Sequence, residues 1–298
     1  VVVGEEIDAP KLVLLQLPPF YASKERVVNI AKSLVMWRKL LAGSKPQEVL
    51  YVAEAVAKIN FVYEANRRRL ERLLKHYEVI VAVSKSIPYE MGGEWVNNVI
   101  SMDPGVALDE EDLKIMKALR SSVKAKENYI VFGGRPSFEK GLAEALVAFS
   151  QVAKVHRDLK LVITGRVDEA KVIRACKRLR LNGKVMLAGF VPREERLRIV
   201  ASAKLVLYPS HVDSFSYAVL ESLYLGTPVV GYKIPALEMY FGRQPGVRLV
   251  KEGDVEALVV EAANVLEKGI DAVEPPRLRS WEEIMEEEIG LINKLVKR

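Results

Sequence analysis

The sequence predicts an α/β protein with doubly wound parallel sheets, arranged as two Rossmann-like domains. Three observations predict it. Short apolar runs rich in Val, Ile and Leu recur along the chain, and helical periodicity follows each one. The runs show little polar alternation, so both faces of each strand are covered, as in a parallel sheet flanked by helices. A length of 298 residues suits about two domains at roughly 150 residues each.

In the first half the strand-like runs are Val1–Val3, Leu12–Gln16, Val79–Val83 and Val99–Met102. A polar stretch, Ala107–Asn128, then reads as the linker. The second half carries the clearer signal, with runs at Tyr129–Phe132, Lys160–Thr164, Lys184–Leu187, Leu205–Tyr208, Val229–Tyr232 and Val247–Val250. Between the first two of these, Leu142, Leu146, Phe149, Val152 and Ala153 fall on one helical face. The closing stretch, Ser280–Arg298, is an amphipathic helix pattern, acidic at its start and basic at its end, which suits the helix dipole. The expected organisation is a first domain over 1–124, a second over 125–279 and a terminal helix over 280–298. The opening residues read as a strand in progress and not as a signal peptide, so a fragment or processed form is expected.

Composition narrows the function classes. Half of the chain is hydrophobic and 28% is charged, which is globular and too apolar for disorder. One cysteine, Cys176, rules out an intrachain disulfide and points to a reducing, cytoplasmic setting. Three histidines and that cysteine lie far apart, so no metal site is expected. The net charge is +6, of which +2 falls in residues 1–124 and +4 in the remainder. No basic tail of the kind that grips nucleic acid is present, and no nucleic-acid partner is expected; a phosphorylated ligand or an anionic surface is compatible. Lys, Arg and Glu are plentiful, as in many thermophile proteins.

Ligands of doubly wound sheets bind at the carboxyl ends of the strands, so those ends are the places to search. After Tyr129–Phe132 the sequence runs Gly133-Gly134-Arg135-Pro136-Ser137-Phe138-Glu139-Lys140-Gly141. Glycines permit close backbone approach, a helix amino terminus attracts anions, and Arg135 and Lys140 add two cations. Together they suit a diphosphate; alone they equally suit a glycine-rich turn with solvated charges. Gly165-Arg166 ends the next strand and by itself reads as an ordinary turn; Gly189-Phe190-Val191 ends the one after, where a flat base against an apolar wall and a packed strand end before a Pro-started helix fit equally. After Leu205–Tyr208 comes the most informative stretch, Pro209-Ser210-His211-Val212-Asp213-Ser214-Phe215-Ser216-Tyr217 through Gly226-Thr227-Pro228. Ser214 or Ser216 caps a helix that Gly226 closes, and N–H groups at 214–217 face a phosphate or sugar hydroxyl. Asp213 stands at the helix entry, where it also suits a dipole-complementing cap, and Glu221 about two turns along the same face, either a surface carboxylate or, among its apolar neighbours, a charge that needs a partner. A ribose diol would serve as that partner. His211 reads as a surface or packing residue.

In this order the segments resemble the carboxy-terminal half of group 1 retaining glycosyltransferases, which have the GT-B fold. The match rests on the strand-Gly-Arg…Glu-Lys-Gly loop, the strand-Thr-Gly, Gly-Phe-Val, Pro-Ser with Asp213-x7-Glu221, Gly-Thr-Pro-Val-Val, and Ser280-Trp281-Glu282-Glu283-Ile284. It covers roughly 126–298. The resemblance implies two Rossmann-like domains across a cleft and transfer of a hexose from a nucleotide-diphosphate sugar to a hydroxyl acceptor. It implies retention of configuration, no metal and no cofactor beyond the donor substrate. By position, Arg135 and Lys140 hold the diphosphate, with Gly134 and Gly165 beside it. Glu221 holds the ribose, Val191 lies near the base, and Ser214, Phe215 and Ser216 present N–H groups to phosphate or sugar. Asp213 stands where the family has a glutamate beside the donor sugar, and Ser214 and Ser216 stand where it has glycine. Ser280 to Ile284 resembles the point where the last helix crosses back to the first domain. The first domain is expected to be partial, with Gln16 the nearest match to the family's strand-end histidine. The helix around Arg67-Arg68-Arg69 to Lys75 reads as a solvated face, or as a peripheral contact with an anionic membrane or lipid acceptor. The competing readings are a non-catalytic nucleotide-sugar-binding homologue and a basic α/β protein that binds polyanions.

Overall fold

The structure, a computed structural model, describes residues 12–15, 24–42, 68, 79–91, 99–101, 110–277 and 279–296. Among these residues two parallel sheets form. The first contains β1 (Leu12–Leu15), β2 (Val79–Ala82) and β3 (Val99–Ser101), paired in that order. The second contains β4 (Tyr129–Phe132), β5 (Lys160–Thr164), β6 (Val185–Gly189), β7 (Leu205–Tyr208), β8 (Val229–Tyr232) and β9 (Val247–Val250). Its spatial order is β6-β5-β4-β7-β8-β9, parallel throughout. From β4 the chain winds outward to β6, then returns to start β7 beside β4 and winds out the other way. This reversal leaves a crevice outside the carboxyl ends of β4 and β7, where neighbouring connections diverge. The runs read from the sequence match the strands closely; β6 begins one residue later than expected and continues to Gly189. Val1–Val3 lies outside the described residues.

Helices follow the strands as the periodicity requires. α1 (Lys24–Ala42) follows β1, α2 (Ser86–Met91) follows β2 and α3 (Glu110–Ser122) follows β3. In the second half α4 (Leu142–Val155), α5 (Glu169–Arg178), α6 (Arg193–Ser202), α7 (Tyr217–Tyr224), α8 (Pro235–Phe241) and α9 (Val255–Lys268) each follow one strand. Leu142, Leu146, Phe149, Val152 and Ala153 of α4 are all buried, as their spacing predicts. α10 (Trp281–Val296) opens with a capping box: Glu283 N–H donates to Ser280 Oγ at 3.2 Å, and Ser280 N–H donates to Glu283 Oε2 at 2.9 Å.

Two helices depart from the simple reading. The polar stretch expected as a linker contains α3, whose Met116 (0% exposed) and Leu119 enter the core of the second sheet. Its remaining face is charged, which is why the stretch reads as solvated. Arg120 adds a tertiary tie by donating to Leu223 O (3.0 Å) and Val273 O (2.7 Å). α1 follows a first-half strand yet packs against α4 and α5 of the second half, with Trp37 and Leu40 against the same core.

If α3 belongs to that core, Met116→Ala should destabilise the protein by about 2–5 kcal/mol, the usual loss for a buried side chain of this size. Urea unfolding measures it, and an unchanged midpoint would mean a solvated linker.

Candidate functional site

The crevice between β4 and β7 is closed at its base by two strand-end loops that touch. Gly141, just before α4, has φ +77°, and a Cβ built there would lie 2.0 Å from Pro209 O. Only glycine allows this approach. The loops are then stitched together: His211 N–H donates to Glu139 O at 3.0 Å, and Lys140 Nζ donates to Val212 O at 2.5 Å. Lys140 also meets Asp213 Oδ2 at 3.2 Å, and Tyr208 donates its hydroxyl hydrogen to the same oxygen. Asp213 and Lys140 are each about 13% exposed as side chains, so the pair is largely but not wholly withdrawn from water. Burial, then the charge of Asp213, holds the Tyr208 phenol well above its ordinary range, so Tyr208 remains a proton donor to the carboxylate.

Beside this pair lies a cleft of about 660 Å³. Its lining brings together Gly134, Arg135, Gly165 and Val191, four of the residues singled out in the sequence. Gly134 joins the cleft to the buried pair, because a Cβ on it would lie 3.9 Å from both Lys140 Cδ and Tyr208 Oη. Arg166, Phe190, Arg193 and Arg196 also line the cleft, and Glu139 is the one acidic residue among the described lining. Four guanidinium groups therefore surround one cleft. The Arg166 guanidinium lies 5.8 Å from the centroid of the exposed Phe190 ring, the range of a cation–π contact.

Glu221 is 4% exposed and does need a partner. The protein supplies it. Arg196 is bidentate to the carboxylate (2.7 and 3.1 Å), and Arg193 Nη1 reaches Oε1 at 3.1 Å. Arg193 is itself held by Asp112 of α3 through its Nε (2.7 and 2.8 Å). The sequence suggests a ribose partner for Glu221; the structure adds these two arginines. Their spacing of three on a helix, just after Gly-Phe-Val-Pro, was the available signal. Oε2 accepts one hydrogen bond among the described contacts, so the carboxylate retains acceptor capacity; it stands behind Arg193 and Arg196, which line the cleft while Glu221 itself does not.

The 214–216 loop divides its groups. Ser216 caps α7, its Oγ accepting from Val219 N–H at 3.3 Å, and its side chain also hydrogen-bonds the Tyr208 hydroxyl. Phe215 puts its ring among Tyr217, Tyr240 and Phe241, with centroids 5.0–5.4 Å away.

His211 is neither a surface residue nor simple packing. It is 1% exposed, with Nδ1 2.8 Å from Glu252 Oε1 and Nε2 2.9 Å from Glu144 Oε1. Arg26 of α1, 3.6 Å from Glu252, ion-pairs with Glu90 of α2 and donates to His211 O. Ser33 Oγ lies 2.9 Å from Glu144 Oε2. A buried charged network therefore underlies the Asp213 loop. Among the described residues no cluster of His, Cys, Asp and Glu has the arrangement of a metal site.

The fold and the cleft define a GT-B-type α/β protein with a cationic pocket at the topological switch point. The profile of the family glycosyl transferases group 1 matches residues 117–280, and the chain belongs to that family. An uncharacterized glycosyltransferase of Methanocaldococcus jannaschii is 31% identical over 122 residues, 41% of this chain and 30% of that protein. Glycogen synthase of Mycobacterium tuberculosis is 27% identical over 140 residues, 46% of this chain and 34% of the synthase. The chain thus spans about a third of the length of these curated relatives. Among solved structures, Anabaena HepE in complex with UDP and glucose superposes with a TM-score of 0.60 at 16% identity, covering 76% of this chain and 67% of HepE. Sucrose-phosphate synthase from Thermosynechococcus elongatus also gives 0.60, at 17% identity, covering 95% of this chain and 67% of the synthase. At these identities the likeness shows the fold. Gln16 and most of the Arg67–Lys75 segment lie outside the described residues, and no described helix is long and apolar enough to cross a membrane.

The network under the loop carries a pH prediction. Burial alone would push the His211 pKa down; hydrogen bonds and charges from Glu144 and Glu252 outweigh it and raise it to about 9. An unfolded histidine titrates at about 6.5. The folded state therefore binds the proton more tightly, so the stabilisation is complete below about pH 6.5 and is lost as pH rises through about 9. Thermal unfolding should show the midpoint falling between pH 7 and 9.5 in the native chain and falling less in His211→Gln. Parallel curves would remove His211 from the balance.

Proposed function

We propose that the cleft binds a nucleotide-diphosphate sugar and that the protein transfers its hexose to a hydroxyl acceptor with retention. The observation that carries this reading is the convergence of Arg135 and Arg166, with the Glu221-paired Arg193 and Arg196, on one switch-point cleft beside the paired Lys140 and Asp213. A diphosphate suits that charge, and backbone N–H groups at 214–216 supply donors without adding bulk. Val191 and Phe190 give the base an apolar wall. Glu221, held in place by Arg193 and Arg196, takes a ribose hydroxyl on its remaining acceptor positions. Asp213, fixed by Lys140 and Tyr208, lies on the donor-sugar side.

In the proposed reaction the bond between the anomeric carbon and the diphosphate oxygen breaks as the acceptor oxygen bonds to that carbon on the same face. The acceptor proton passes to the departing phosphate oxygen. The protein's main contribution is electrostatic: cations and N–H groups already in place meet the charge that develops on the leaving group. The reading assigns that neutralisation to the chain's own arginines and lysine, with no metal in the reaction. The relatives include a UDP-bound structure and a glycogen synthase, which support a nucleotide sugar and a carbohydrate acceptor here. The individual base, sugar and acceptor follow from the contents of the cleft in solution.

Arg135→Ala should weaken nucleoside diphosphate binding about tenfold or more, the loss of a charge-assisted contact, as measured by calorimetry. Unchanged affinity would remove Arg135 from the cradle. Asp213→Asn should leave nucleotide affinity within about threefold while sugar transfer falls roughly a hundredfold. Equal loss of both would give Asp213 a folding role. Chelation of divalent ions should leave transfer unchanged.

A further inference from the structure

The loop that carries Asp213 belongs to the second half, yet its backbone is held from the first half at two points. At one end, Arg26 in the first turn of α1 donates to His211 O. At the other end, Ser84 Oγ donates to Ser214 O at 2.5 Å and Ser86 Oγ donates to the same oxygen at 2.9 Å. Both serines are buried at the start of α2, and their hydroxyls lie 2.8 Å apart. Tyr240 of α8 completes the join: its hydroxyl accepts from Lys85 N–H at 2.8 Å and lies 3.2 Å from Ser84 Oγ. Between the two ends, Val212 O accepts from Lys140 at 2.5 Å and from Ser210 Oγ at 3.0 Å. The carbonyls of residues 211, 212 and 214 are thus each fixed by side chains.

A peptide unit is planar, so fixing its carbonyl fixes the N–H of the next residue in the opposite direction. The Ser84 and Ser86 hydroxyls on Ser214 O therefore set the direction of Phe215 N–H. Lys140 on Val212 O likewise sets Asp213 N–H. Arg26 fixes the peptide that enters the loop, with the ion pair to Glu90 holding the guanidinium in place.

We infer that Arg26, Ser84 and Ser86 are positioning residues: reaching across from the first half, they hold the Asp213 loop so that its N–H groups point at the donor. The inference rests on the nucleotide-sugar reading above. It deepens that reading by making the geometry of the donor site depend on contact between the halves. When the halves separate, these hydroxyls and the guanidinium leave the loop carbonyls, and the donor's N–H ligands lose their fixed direction.

The test uses the full chain and two readouts. Hydrogen exchange of amides 212–216 should be about tenfold faster in the Ser84→Ala/Ser86→Ala double variant, with the β4–β9 strands unchanged. Transfer from a nucleotide sugar should fall roughly ten- to a hundredfold while affinity for the nucleoside diphosphate, held by Arg135, moves less than about threefold. Ser86→Thr in a native Ser84 background, which keeps the hydroxyl, should restore most of the rate. Tyr240→Phe, which leaves both serines in place, should give a smaller change in the same direction if the double variant fails to fold. Exchange unchanged at 212–216 would overturn the clamp. Faster exchange with transfer unchanged would overturn its positioning role. If the native chain binds no nucleoside diphosphate, the functional reading falls, and the exchange result alone then decides whether the loop is clamped.

Discussion

The site depends on how closely two strand-end loops approach outside β4 and β7. With any side chain at position 141, Pro209 O would be displaced, since a Cβ there would lie 2.0 Å from it. That approach brings Lys140 to Val212 O and Asp213, and it puts His211 N–H on Glu139 O. The reversal of winding between β4 and β7 opens the crevice, and the glycine lets its floor close. Beside that floor stands the cleft lined by Gly134, Arg135, Gly165 and the arginines.

Charge is distributed in two layers around that space. The cleft wall carries four guanidiniums, two of which are tied to Glu221 and so held in one orientation. Beneath the loop, Arg26 and His211 alternate with Glu90, Glu144 and Glu252 in a buried network. Buried charges of this kind are tolerated only when partnered, and here the partners come from both halves of the chain. The upper layer suits an anionic ligand; the lower one fixes the loop that carries Asp213.

Much of the fold was legible because parallel buried strands leave a local signal. The six apolar runs of the second half needed no tertiary information, and β6 shifted only at its ends. α3 was missed because Met116 and Leu119 are a small part of a helix dominated by Glu110, Glu111, Asp112, Lys114, Lys117 and Arg120. The cleft residues Gly134, Arg135, Gly165 and Val191 could be named because each follows a strand directly. The partners of Glu221 and His211 could not. Glu144 is 67 residues from His211, and Arg26 meets a carbonyl 185 residues away. Contacts at that separation leave no periodic trace, and a charged residue in a helix's first turn reads as solvated until the packing is known.

The most direct measurement is thermal unfolding of the full chain with UDP, GDP, ADP, inorganic pyrophosphate and the matching nucleosides, in the presence of a chelator. A ligand raises the midpoint only by binding the folded state in preference to the unfolded one. A donor cleft predicts a clear rise with the nucleoside diphosphates of one base, a smaller rise with pyrophosphate and little with the nucleoside alone. No rise with any nucleotide, or an equal rise with every polyanion, would contradict a nucleotide-sugar site between β4 and β7.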